Sequence, residues 1–334
     1  MPQILQVKEL NKNFPITAGI FKRVVGSVKA VNDVSFTLNE GETLGIVGES
    51  GCGKTTLGRT IVRLYQPSSG DIYFKDTNLG RLPESELRPY RHHIQMIFQD
   101  PFSSLNPRMS IRNILEEPLI INKKGNSSER KKKVEELIEM VGLPLSCLER
   151  FPHEFSGGQR QRIAIARAIC LDPDLIIADE PVSALDVSIQ SQILNLMVSL
   201  QKKLGLTIIF ISHDLLVVKY ISDRIAVMYL GFIIEIGPAN QVFNEPLHPY
   251  TQALLKAIPS VDSRRKKLKS DLQGELPSPI DLPSGCPFRT RCSFQKPECA
   301  VTRPLLRVLN NLPANGHQVA CHFAEEIRGV ENEP

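Results

Sequence analysis

The chain has no long apolar run, little excess of charge of either sign and no internal repeat. Each absence removes a class of function. No segment approaches the roughly 18 uninterrupted apolar residues that a membrane-spanning helix needs. The best stretch, 225–234, is too short and runs straight into Glu235. Lys plus Arg number 40 against 36 Asp plus Glu, and a net +4 leaves no electrostatic footprint for nucleic acid or an anionic membrane surface. The N-terminal MPQILQVKEL places Lys8 and Glu9 where a signal peptide carries its apolar core. The chain is therefore expected to stay in the cytoplasm and to act at a membrane only by docking onto other chains. No fixed period marks an array or solenoid.

What remains is an ordinary globular composition, 42% hydrophobic and 23% charged. Its 334 residues suffice for one full domain with an appendage, or two modest domains. The first 45 residues alternate as strands do, in LQVKEL and VKAVNDVSFTL, with a looser PITAGIFKRVVGS between them that reads as a loop insertion. From Thr43 a buried strand, a glycine loop and a helix follow in the order that opens a parallel α/β unit. Two more apolar runs, LIIA and LTIIFI, end in Asp179-Glu180 and Ser212-His213-Asp214, as strands of a parallel sheet with chemistry at its C-terminal edge do. Residues of about 99–160 are rich in helix formers and lack strands, so they read as a helical insert, with 129–133 a solvated face. After Pro259 the character changes to a basic linker, SRRKKLKS, and a proline-rich tail, placing a boundary near residue 262.

The sequence Gly48-Glu49-Ser50-Gly51-Cys52-Gly53-Lys54-Thr55 fits G-x-x-x-x-G-K-[ST]. Glycines let the backbone wrap a phosphate chain with its N–H groups at the positive end of the following helix. Lys54 would neutralise the β- and γ-phosphates and Thr55, followed by Thr56, would hold Mg²⁺. Cys52 reads as a small residue rather than a reactive thiol. Asp179 at a strand end suits Mg²⁺, and Glu180 suits polarisation of the attacking water. An acidic pair alone is usually a solvated turn; downstream of a phosphate loop it points to nucleotide hydrolysis. Ser156-Gly157-Gly158-Gln159 opens a second helix upstream of Asp179 and forms a second anion-binding device. Two phosphate cradles for one nucleotide imply a head-to-tail dimer in which this segment grips the partner's γ-phosphate.

These motifs, in this order, resemble the nucleotide-binding subunits of ABC transporters over residues 4 to 260. GESGCGKT resembles Walker A, IIADE Walker B, FSGGQ the signature, and Ser183-Ala184-Leu185-Asp186 the D-loop, which adds Asp186 to the nucleotide contacts. Gln99 matches the Q-loop, His213 the switch histidine, and Phe14 falls where the family stacks an aromatic on adenine. The resemblance implies that Gln99 senses the γ-phosphate and Mg²⁺, and that His213 hydrogen-bonds the γ-phosphate. Phe155 replaces the signature's commoner leucine. The implied fold is a P-loop α/β domain over 1–262, with a RecA-like parallel core, an antiparallel β subdomain and a helical subdomain at about 99–160. A small Cys-rich extension would occupy 263–334.

The run from Gln99 through Asn106-Pro107-Arg108, together with Pro152-His153-Glu154, Pro246-Leu247-His248-Pro249-Tyr250-Thr251 and the tail GELPSPIDLPSGCPFRTRC, is similar to the ATPases of oligopeptide and dipeptide permeases, most to the second ATPase of such a system. Nickel importers are their relatives and supply the alternative cargo. That resemblance implies a second, different ATPase, two membrane-spanning permeases and an extracytoplasmic peptide-binding protein as partners, at the cytoplasmic face of the cell membrane. The segment after Gln99 would form the docking groove for the permeases. Soluble ABC ATPases usually carry fused ATPase units or a long coiled coil, and neither is present. Intact Lys54, Asp179, Glu180 and His213 argue against a non-hydrolysing partner.

Cys286, Cys292, Cys299 and Cys321 are separated by five, six and twenty-one residues, unlike the C-x₂-C pairs of zinc ribbons. Four thiolates at loop spacing suit an iron–sulfur cluster, and the family resemblance implies a [4Fe-4S] centre. Zinc and plain thiols or disulfides are the alternatives. His317 and His322 are weaker ligand candidates and read as surface residues.

Overall fold

The computed structural model describes residues 2–19, 21, 23–100, 104–258, 275–309 and 316–330. The boundary near 262, the basic linker and Pro101 to Ser103 of the expected docking segment lie outside the described residues. Among the described residues no helix is long and apolar enough to cross a membrane. The 225–234 run is instead parts of two strands, Arg224–Tyr229 and Phe232–Pro238, which pair antiparallel. The chain divides into two compact units: Met1–Ile4, Asn39–Thr43 and Arg81–Ser212 form one, and Leu5–Leu38, Leu44–Gly80 and His213–Pro334 the other.

In the first unit the strands Ile94–Ile97, Leu175–Asp179 and Thr207–Ser212 run parallel, with Ile94 opposite Leu175 and Leu175 opposite Thr207. Every residue of Leu175–Asp179 and Thr207–Ser212 is buried, which is why their sequences are apolar runs without alternation. From 104 to 156 the described residues contain helices and no strand. Helix Ile111–Ile121 buries Ile111, Ile114, Leu115 and Leu119, the i, i+3, i+4 spacing of one helical face. Helix Ser127–Met140 starts at a capping box: Asn126 accepts from Glu129 N–H, and the Glu129 carboxylate accepts from Asn126 N–H. Its polar face is solvated as expected, with Arg130 paired to Glu116 at 2.9 Å and Lys133 to Asp172 at 2.8 Å.

In the second unit, Thr43–Val47 pairs in parallel with Arg224–Tyr229, Leu44 opposite Arg224. Phe232–Pro238 then carries the tail strand Gln318–Val319, which in turn carries Arg307–Val308. The tail therefore extends the sheet. A separate sheet has the order Arg23–Asn39, Gln3–Ala18, Ser69–Phe74, Thr77–Asn78. The stretch read as a loop insertion is largely strand: Gln3–Ala18 and Arg23–Asn39 run nearly to its tip, where Phe21, Val24 and Val25 are exposed. Val24 and Val25 are β-branched and favour the extended backbone that polarity alone did not reveal.

Candidate functional site

The nucleotide loop follows Thr43–Val47 and leads into helix Lys54–Ile61. Gly48 is obligatory: a Cβ there would stand 2.2 Å from the backbone oxygen of Met228. Lys54 is buried and donates its Nζ to the carbonyls of Gly48 at 2.7 Å and Glu49 at 2.9 Å. Those are the loop's own oxygens. Cys52 is buried, its Sγ 3.9 Å from Lys54 Nζ, and burial pushes its thiol pKa up, in keeping with a packing role. Ser50 and Gly51 are exposed, while Gly53, Thr55 and Thr56 are half-buried at the helix start. Phe14 is half-buried, edge-on to Tyr65 at 5.2 Å, with Lys12 Nζ 4.7 Å from its centroid. His213 follows Thr207–Ser212 and is exposed, just before Asp214 caps helix Leu215–Ile221 by accepting from Leu216 N–H at 2.8 Å.

In the first unit Asp179 closes its strand fully buried. Glu180 follows with φ +46, a left-handed conformation that a non-glycine residue adopts only under constraint. Its N–H donates to Ile211 carbonyl at 2.9 Å and its carbonyl accepts from Ser183 N–H at 3.2 Å, so backbone bonds on both sides hold the strain. Gln99, exposed just beyond Ile94–Ile97, donates its side-chain amide to Glu180 Oε2 at 3.1 Å. The structure thus brings Gln99 onto the carboxylate expected to act as base. Ser156 and Gln159 form a capping box at the start of helix Gly157–Ile169, Ser156 Oγ accepting from Gln159 N–H at 3.4 Å. Gly158 serves packing, because a Cβ would meet Ile189 Cγ2 at 2.4 Å. Asp186 is exposed at the start of helix Val187–Leu204. The guanidinium of Arg150 lies 4.7 Å from the ring of buried Phe155.

The donors expected for Mg²⁺ are a hydroxyl (Thr55), an amide oxygen (Gln99) and a carboxylate (Asp179), hard oxygens that suit that ion. The four tail cysteines are free. Burial and then the neighbouring thiols raise Cys321 to about 12 and Cys286 to about 11, and Cys292 is raised by burial and by Cys299. Among the described residues, however, no three His, Cys, Asp or Glu come together in a way that could hold a metal ion. The expected iron–sulfur or zinc centre gains no support. The reading of His317 as a surface residue is overturned: it is buried and its Nε2 bonds Glu235 Oε1 at 2.8 Å. Glu235, fully buried, also accepts the N–H groups of Leu247 at 2.8 Å and His248 at 2.9 Å, so the histidine completes a set of donors to one carboxylate.

Sequence reasoning missed how residues far along the chain reach the loop. Tyr250 is fully buried and its hydroxyl accepts the Glu49 N–H at 2.9 Å. Arg291 pairs with the Glu49 carboxylate. The His248-Pro249-Tyr250 run was a visible signal, since His248 caps helix Pro249–Lys256 through its Nδ1 and so aims the tyrosine.

Residues 31–183 match the family model "ABC transporter", and residues 234–299 the model "Oligopeptide/dipeptide transporter, C-terminal region". The oligopeptide transport ATP-binding protein AppF of Bacillus subtilis (strain 168) is 55% identical over 96% of this chain and 97% of its own length. The dipeptide transport ATP-binding protein DppF of Escherichia coli (strain K12) is 47% identical over 97% and 95%. Among solved structures, the dimeric ATP-binding cassette MJ0796, in a post-hydrolysis state bound to ADP and Pi, has a TM-score of 0.63 at 30% identity. That match covers 71% of this chain and 99% of that one.

Proposed function

The chain belongs to the ATP-binding subunits of ABC transporters, enzymes that hydrolyse ATP, and from that premise we propose that it powers import of oligopeptides or dipeptides at the cytoplasmic face of the cell membrane. The observation that carries the cargo class is the match of residues 234–299 to the peptide-transporter C-terminal region, which near-full-length identity to peptide-transport ATPases supports.

In this reading ATP lies along Gly48 to Thr56, including Ser50, Gly51, Cys52 and Gly53, with Phe14 against the adenine. Lys54 leaves the carbonyls of Gly48 and Glu49 for the β- and γ-phosphates. Thr55, Gln99 and Asp179 would hold Mg²⁺, which when bound offsets phosphate charge. Glu180 accepts the proton of the attacking water as its oxygen bonds the γ-phosphorus and the bridging P–O bond breaks, giving ADP and phosphate. His213 hydrogen-bonds the γ-phosphate and orients the water. The 3.1 Å bond from Gln99 to Glu180 links the docking segment after Gln99 to the base. Ser156, Gly157, Gly158, Gln159 and Asp186 act across a dimer on the nucleotide held by a second, homologous ATPase. Two permeases docked after Gln99 and an extracytoplasmic peptide-binding protein complete the assembly.

For the architecture, we take 1–262 as the ATPase, with a RecA-like core, an antiparallel β subdomain and a helical subdomain at about 99–160, and 263–334 as the extension. A [4Fe-4S] cluster, or zinc, on Cys286, Cys292, Cys299 and Cys321 draws only on their spacing in the sequence and on the family resemblance. Iron, sulfide and zinc analysis of anaerobically purified protein tests it, and absence of all three ends that reading.

The function is tested by Glu180→Gln. Cells carrying only this form are expected to lose uptake of a labelled short peptide, while the purified chain still binds ATP and turns it over at least about 100-fold more slowly. Unchanged hydrolysis removes Glu180 as the base. Loss of nickel uptake with peptide uptake intact moves the cargo.

A further inference from the structure

The cysteine-bearing tail reaches the nucleotide loop through an ion pair at Glu49. Arg291 Nη1 donates to Glu49 Oε2 at 2.9 Å, and the two side chains are 7% and 25% exposed. The Glu49 peptide is held on both sides as well: its N–H by the Tyr250 hydroxyl, and its carbonyl by Lys54 Nζ and, at 3.3 Å, by Cys52 N–H. Arg291 ends the single turn Arg289–Arg291, framed by Cys286 and Cys292. Its guanidinium lies 5.9 Å from the Tyr229 ring. Phe288, at the start of that turn, packs edge-on to Tyr229 at 5.3 Å and Tyr250 at 5.4 Å. One buried aromatic group therefore seats both contacts to Glu49.

The loop itself supplies one cation, Lys54, and that ammonium rests on the loop's own carbonyls. When Lys54 turns to a phosphate, the Glu49 carbonyl loses a donor, and an unpaired Glu49 carboxylate would repel the incoming charge. The compensating guanidinium comes from 242 residues along the chain. We propose that Arg291 is a positioning residue for ATP, neutralising Glu49 and fixing the start of the nucleotide loop so that its N–H groups meet the phosphates without a competing carboxylate. The proposal rests on the assignment of Gly48 to Thr56 as the nucleotide loop.

Its test is a charge cycle on the full-length chain. Equilibrium binding of Mg²⁺ with a fluorescent ATP analogue, and kcat and KM for ATP, are measured for wild type, Arg291→Ala, Glu49→Gln and the double variant. Arg291→Ala is expected to weaken nucleotide binding and raise KM roughly tenfold, with kcat changed much less. In the Glu49→Gln background the same substitution changes affinity by less than about threefold, because no carboxylate remains to repel phosphate. A purely packing role loses affinity equally in both backgrounds and overturns the proposal, as does an unchanged affinity for Arg291→Ala. Should the alanine variant not fold, Arg291→Met keeps an aliphatic side chain at that position without the charge and is read in its place. Lys54→Ala separates the two readings: wild-type ATP affinity in that variant removes the nucleotide-loop assignment itself, whereas its loss together with an inert Arg291 removes only the present proposal.

Discussion

The nucleotide loop and the C-terminal tail are held by opposite means. The loop is fixed by lack of space, since backbone oxygen stands where a Gly48 side chain would go. The tail is fixed by pairing: His317 on Glu235, Arg291 on Glu49, and a two-residue strand on Phe232–Pro238. Steric fixation is written into consecutive residues, whereas pairing joins residues 82 and 242 positions apart. The loop should therefore fail at one added methyl, and the tail should fail at one removed charge.

Gly48→Ala is the harshest test of the steric half. Met228 oxygen belongs to the neighbouring strand backbone and cannot yield cheaply, so the loop must shift. ATP turnover is expected to fall at least about 100-fold, because a misplacement on the order of 1 Å at a positioned phosphate costs that much. A variant with near wild-type turnover would show that the loop is as adaptable as the tail. The pairing half breaks at Glu235→Gln. That carboxylate is fully buried and accepts from Leu247, His248 and His317, and a neutral amide cannot accept from all of them. Unfolding in urea should reveal a loss of about 3 kcal/mol, and amide exchange should quicken at Gln318–Val319. Stability within experimental error of wild type would mean that the small apolar cluster of Leu247, Leu309, Val319 and Ala324 suffices to seat the tail.

This contrast also explains what could be read in advance. Gly48 to Thr55, Asp179-Glu180 and Ser156 to Gln159 carry their chemistry in adjacent residues, and the elements around them are strand, loop and helix as the spacing implied. The helices between 104 and 156 were legible from their helix-forming composition and the lack of strand patterns. By contrast, Cys286 to Cys321 read as a ligand set because four thiols of the right spacing look alike whether or not they are arranged around a metal. Glu235 looked like the end of an apolar run, and His317 like a solvated residue. Each satisfies the other, and nothing in either local sequence records a partner 82 residues away. The Gln99–Glu180 bond was legible only as two separate motifs.

Acid gives a graded test of the same pairing region. His248 is buried, which lowers its pKa from 6.5 to about 3, so the folded chain keeps it neutral. Above pH 6.5 both folded and unfolded forms are neutral there, and the residue costs nothing. As pH falls below 6.5 the unfolded chain gains a proton that the folded one refuses, so stability drops, by about 2 kcal/mol at pH 5. His248→Asn keeps an acceptor for Tyr250 N–H at the helix start and removes the titration. Its unfolding free energy between pH 6.5 and 5 should slope less than that of wild type by this amount. Equal slopes would show that protons enter the fold elsewhere and that His248 is not sealed in.

The smallest effect sharpens the rule by exclusion. Lys296 pairs with Glu326 on the tail, and the two side chains are 46% and 62% exposed. Water solvates both charges before and after folding, so the pair gains little beyond what each loses in freedom. Lys296→Ala should change stability by less than about 0.5 kcal/mol in urea unfolding and leave exchange at Gln318–Val319 unaltered. A larger loss would mean that rim charges, and not the contacts at Glu235 and Glu49, keep the tail in place, and the tail would then loosen with rising salt.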